Sequence, residues 1–174
     1  MAKYEFTLVI DGPVEDDDVL NAFFEHGCDD ATFGSVDGVA YAEFHREAPD
    51  LAEAVFSAIS AVESVKPLTV QRVEPDDLVT LSEIASRLGR TRESVRLLAA
   101  GERRGGEFPP PASHLRSRNR LWRWSDVAVW AGVKNGHDPE QAQLLAAINA
   151  ALELRNRSAT LPRQERERIE ALAR

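Results

Sequence analysis

The run from Thr80 to Leu98 constrains this chain more than any other stretch, because it can hardly be anything but two short helices and a turn. Thr80 and Glu83 have the spacing of a capping box, in which each side chain satisfies an amide at a helix start. Leu81, Ile84, Ala85 and Leu88 recur at helical spacing and give the first helix one apolar face. Gly89 follows the last of them, where a left-handed terminus suits glycine best. Thr91 is placed to cap a second helix with Val95, Leu98 and Ala99 facing inward and Arg92, Glu93, Ser94 and Arg96 facing out. The pattern is a helix-turn-helix.

The residues beyond this pair of helices extend the pattern. Phe108 to Leu115 and Arg116 to Trp124 read as two short extended segments around a basic turn, and Ser125 is placed to cap a further helix through Trp130. With these elements in order, the stretch from Leu78 to Gly132 resembles the excisionase-type, MerR-like winged helix-turn-helix family. The residues that carry the resemblance are Thr80 to Val95, Phe108 to Pro111, the arginines of 116–120, and Arg123, Trp124, Asp126, Val127 and Trp130. The connection Glu102 to Glu107, with its Arg-Arg-Gly-Gly core, is longer than the family pattern has before its Phe-Pro. The resemblance implies DNA binding, with the second helix in the major groove and the wing on phosphates or the minor groove. The residues expected to touch DNA are Arg90, Arg92, Glu93, Ser94, Arg96, Arg103, Arg104, Arg116, Arg118 and Arg120. Arg116, Arg118 and Arg120 alternate, so on a hairpin strand they would share one side. Trp124 and Trp130 are expected in the core, not stacked on bases.

Composition at first argues against DNA: the formal net charge is −8. The charge is segregated, however. Residues 1–79 hold 18 acidic and 4 basic residues, whereas residues 87–123 hold 10 arginines and 3 glutamates. A nucleic-acid footprint is set by such clustering, not by the total.

The acidic part has its own pattern. Strands are expected at Tyr4–Asp11, Ala31–Val36, Val39–His45 and Leu68–Val73, with Asp37-Gly38 as a tight hairpin turn. Helices are expected at Asp16–His26, burying Val19, Leu20, Phe23 and Phe24, and from Asp50, burying Leu51, Ala54, Val55, Ala58, Ile59 and Val62. The order βαββαβ is that of a ferredoxin-like domain. After a turn-rich break at 133–139, Gln143, Leu144, Ala147, Ile148, Ala151, Leu152 and Leu154 pattern a long helix, and Arg163–Arg174 a short charged one.

The expected architecture is therefore α+β: an acidic ferredoxin-like domain over 1–75, a winged helix-turn-helix over 78–132 and a helical tail over 137–174. MerR-like proteins commonly pair through a C-terminal helix, so Pro139–Arg155 is the expected homodimer element. The partners are then double-stranded DNA, a second copy and, for the acidic domain, a protein. The expected function is sequence-specific DNA binding in transcription regulation. The alternative is an interaction adaptor or antitoxin-like partner gripping a protein through the acidic domain or the tail.

Catalytic and cofactor signals are missing. Glu15 to Asp18 sit at a helix start, where the dipole favours carboxylates, and lack the glycine and distal glutamate of a calcium loop. His26, His45, His114 and His137 have no zinc spacing. Cys28, the single cysteine, fits a buried thiol and a reducing compartment. No cofactor, metal or enzyme activity is expected. No apolar run is long enough for a membrane span, so the expected location is cytoplasmic.

Overall fold

The computed structural model describes residues 1–14, 16–102, 107–133 and 138–172. The chain divides into two compact units, Met1–Pro75 with Ala147–Arg174, and Asp76–Ala146. The expected tail is therefore not a unit of its own: its long helix contributes residues to both.

The first unit begins with β1 (Ala2–Asp11), α1 (Asp17–Glu25), β2 (Ala31–Val36), β3 (Val39–Ala48), α2 (Leu51–Ser64) and β4 (Thr69–Glu74). The four strands form one antiparallel sheet in the order β2-β3-β1-β4. The β2–β3 turn is the expected one, with Asp37 and Gly38 both at positive φ, 52° and 79°, as a two-residue hairpin requires. Phe6, Leu8 and Ile10 of β1, Phe44 of β3 and Val70 and Val73 of β4 are buried, as are Ala54, Val55, Ala58 and Val62 of α2. In α1 only Phe23 is buried, stacked on Phe33 at 3.7 Å between centroids. Phe24, expected beside it, is 68 % exposed. A helix of nine residues covers a narrow stripe, and Phe24 stands about 100° around the axis from Phe23. Asp16 is the N-cap of α1 and accepts from the amide of Asp18, so Asp16 of the acidic cluster has a capping role, and Asp17 and Asp18 lie in the first turn.

The same unit includes part of α6 (Pro139–Ser158) and α7 (Arg163–Leu172). The buried apolar residues of α6 are Leu145, Ile148 and Leu152, while Gln143, Ala147 and Ala151 are exposed, so the inward stripe is rotated from the expected one. The cause is polar. Asn149 and Asn156 fall on the inward stripe and satisfy the outer edge of β4. The Asn149 side chain accepts from the Val73 amide at 2.7 Å and donates to the Val73 carbonyl at 2.8 Å. Asn156 and Arg155 both donate to the Val70 carbonyl, and Glu63 accepts from the Val70 amide. A bare strand edge is a template for unwanted pairing, and here side chains occupy it. Ile148 and Leu152, on the helix expected to pair two copies, are buried within one chain.

The second unit contains β5 (Leu78–Val79), α3 (Leu81–Arg87), α4 (Arg92–Ala99), β6 (Trp122–Arg123), α5 (Trp124–Ala131) and the start of α6. β5 pairs antiparallel with β6. Its core is Val79, Ile84, Ala85, Val95, Trp122, Trp124, Val127 and Ala128. Among the described residues, no helix is long and apolar enough to cross a membrane.

Candidate nucleic-acid interface

The α3–turn–α4 segment forms as its residues dictate. Thr80 accepts from the Glu83 amide at 3.2 Å, and Glu83 accepts from the Thr80 amide at 2.7 Å, so the capping box is complete. The bond from the Thr80 amide, more than any other influence, holds the Glu83 carboxyl below its ordinary range. Gly89, at φ +61°, ends α3 by letting the Arg90 amide reach back to the Ala85 carbonyl at 2.8 Å. Thr91 then caps α4 by accepting from the Ser94 amide.

Arg90, Arg92, Glu93 and Arg96 are exposed, and Ser94 is half-buried. Arg96 does not extend freely. Its guanidinium is forked onto the Glu93 carboxylate, with Nη2 2.9 Å from Oε1, and this bond holds the Glu93 carboxyl below its usual range. Arg87, the first arginine of the basic segment, lies with its guanidinium 4.9 Å from the centroid of the buried Trp124 ring. Burial lowers its pKa, opposed by Glu83 and Asp77.

The expected wing is shorter than a hairpin of regular strands. Ser113 and Leu121 make an isolated antiparallel bridge, with the Leu121 carbonyl accepting from the amides of Ala112 and Ser113. Between them, residues 115–119 are turn and bend, entered from His114 at φ +55°. Arg116, Arg118 and Arg120 are all exposed on this loop. Their alternation assigns no common side, because the two-residue period belongs to extended strands and the loop is not one. Arg103 and Arg104 lie outside the described residues.

Below the loop the packing is specific. Phe108 meets Trp130 edge-on at 4.9 Å and Trp122 at 6.5 Å, and the Trp122 Nε1 donates to the Pro109 carbonyl at 3.2 Å. The Phe-Pro motif thus pins the segment entering the loop. Trp122 and Trp124 are buried and Trp130 is half-buried, so the tryptophans support the surface from beneath.

The residue that sequence reasoning missed is Asp77, which falls between the two expected domains, 1–75 and 78–132. It is 2 % exposed. Its carboxylate accepts from the Ser125 amide at 2.8 Å, from the Ser125 hydroxyl at 3.1 Å and from Arg123 Nη1 at 3.3 Å, while its carbonyl accepts from the Trp124 amide at 2.7 Å. Ser125 is therefore not the cap of α5. The N-cap position is Arg123, whose side chain makes no cap bond, and Asp77 supplies the acceptor from 48 residues earlier in the chain.

Among the described residues, the first unit holds one further buried charge. Arg46 forks onto Asp30 with two bonds of 2.8 Å, donates to Gly27 O and Ser57 Oγ, and lies 4.9 Å from the centroid of the Phe44 ring. Beside it Cys28 is buried as expected. Burial pushes its thiol up to about 11 against the lowering effect of Arg46. This cluster ties the end of α1 to β3 and α2. Comparison of the chain with family models, with curated proteins and with solved structures gives no match, so a function has to come from its own residues.

Proposed function

We propose that this chain is a sequence-specific DNA-binding protein that regulates transcription, built from a ferredoxin-like unit and a winged helix-turn-helix. The observation that carries the reading is the exposed basic surface of the second unit: Arg90, Arg92 and Arg96 at α4, with Arg116, Arg118 and Arg120 on the loop held at Ser113 and Leu121. A capped helix pair with an arginine-bearing second helix suits the major groove, and loop arginines suit phosphate oxygens. The strand order β2-β3-β1-β4 supports the ferredoxin-like name for the first unit. That unit is acidic and so is repelled by phosphate. Because Ile148 and Leu152 are used within the chain, the reading is stated for one chain and does not require pairing through the tail.

A fluorescence-anisotropy salt titration on duplex DNA tests it. Affinity should fall with salt at a log–log slope of about −0.9 per phosphate contact. Replacing Arg116, Arg118 and Arg120 by alanine should make that slope shallower by about 2 to 3 on any sequence. A flat salt response would overturn the reading.

A further inference from the structure

The guanidinium of Arg96 is gripped from one side only. Nε lies 3.1 and 3.0 Å from the two Glu93 carboxylate oxygens, and Nη2 lies 2.9 Å from Oε1. Because the guanidinium is a rigid planar fork, this grip uses the Nε–H and one Nη2–H and leaves the edge made by Nη1 and the second Nη2–H. Nη1 has no hydrogen-bond partner among the described residues, and Glu102 Oε2, 4.0 Å from Nη2, is too far for a bond. Arg90 and Arg92, on the same segment, have no such partner among the described residues. Of Arg90, Arg92 and Arg96, only Arg96 is held in this way among the described residues.

We propose that Glu93 is a positioning residue that presents the Nη1–Nη2 edge of Arg96 to a guanine in the major groove. The inference rests on the DNA-binding reading and names the base that α4 selects. Guanine offers two adjacent acceptors, O6 and N7, which match two parallel N–H donors. A phosphate contact gives no reason for a carboxylate at this place, since the carboxylate repels phosphate. Both side chains are exposed, 48 % and 66 %, so the pair adds little stability in water. Its effect is on orientation: an arginine already held in one rotamer loses less freedom on binding.

Glu93→Gln separates the two roles by its effect on base preference. If Glu93 only coats the helix, removing its charge tightens binding to every duplex by one common factor. If it positions Arg96, binding to random duplex tightens while the preference for guanine at one position falls. The experiment is in-vitro selection of duplex DNA by the full wild-type chain. Anisotropy is then measured on the selected duplex and its single-base variants for wild type, Arg96→Ala and Glu93→Gln, with circular dichroism confirming the fold of each. The expected result is a guanine preferred by about tenfold or more at one position. Arg96→Ala should erase that preference and no other, and Glu93→Gln should cut it several-fold while random-duplex affinity rises. The inference is overturned if Arg96→Ala leaves every base preference unchanged, or if Glu93→Gln shifts all duplexes equally; the DNA-binding reading then still stands. A wild-type chain with no salt-dependent duplex binding overturns both.

Discussion

Replacing Asp77 by alanine should weaken the second unit far more than a linker position would. The substitution removes the carboxylate that accepts from the Ser125 amide in the first turn of α5, and Ser125 is 2 % exposed. Loss of a helix cap costs about 0.5–2 kcal/mol, and stranding a buried donor costs about 1–3 kcal/mol. These two figures describe the same amide, so they overlap and do not add. Arg123, half exposed, contributes little. The expected loss is about 2 kcal/mol. Asp77→Asn keeps an acceptor of the same shape and should lose about 1 kcal/mol. The assay is urea unfolding followed by tryptophan emission. All three tryptophans, Trp122, Trp124 and Trp130, belong to the second unit, so the signal reports that unit. With a urea slope of about 1 kcal/mol/M for a small unit, the alanine midpoint should fall by about 2 M. An alanine variant within about 0.5 kcal/mol of wild type, or an asparagine variant no better than alanine, would refute the capping argument.

Two other perturbations rest on the same polar accounting. Asn149→Leu should cost the first unit about 1–3 kcal/mol, because both backbone groups of Val73 lose their partner; far-UV circular dichroism reads the loss, and faster hydrogen exchange at the Val73 amide locates it. Glu83 has a native pKa lowered chiefly by the Thr80 amide, so its contribution is full above the ordinary glutamate range and is lost as pH falls through the lowered value. Glu83→Gln should therefore flatten the acid side of the tryptophan-detected stability profile, and an unchanged acid limb would contradict the capping box.

Much of the molecule could be read from residue order because the signals were local. The capping box at Thr80, the hairpin turn at Asp37 and Gly38, and the helical stripe of α2 each lie within a few residues of what they specify. The readings that failed depended on partners distant in the chain. Asp77, between the two expected domains, gave no local signal because the amide it caps lies 48 residues on. The inward face of α6 was drawn from its apolar residues alone, and Asn149 and Asn156 join it because the edge of β4 supplies carbonyls and an amide for them. Arg116, Arg118 and Arg120 were given one side by a strand period, and the short bridge at Ser113 and Leu121 leaves them on a loop instead. Phe24 failed on geometry, as a short helix has room for one buried stripe.

The candidate interface separates into charges and a frame, and the separation comes from where each is buried. Arg90, Arg92, Arg96, Arg116, Arg118 and Arg120 are all exposed, so their neutralisation changes the field at the surface and leaves the core intact. The frame beneath consists of Phe108 against Trp122 and Trp130, the Trp122 bond to Pro109, and Asp77 joining the start of β5 to the first turn of α5. Changes to the charges should therefore alter the salt slope with unfolding unaltered. Changes to the frame should do the reverse at first, lowering the unfolding midpoint while the slope persists in whatever fraction remains folded, since that fraction carries the same arginines. Glu93 combines a charge effect with a second one: its substitution leaves the core alone, removes an exposed negative charge and changes the direction in which one guanidinium points.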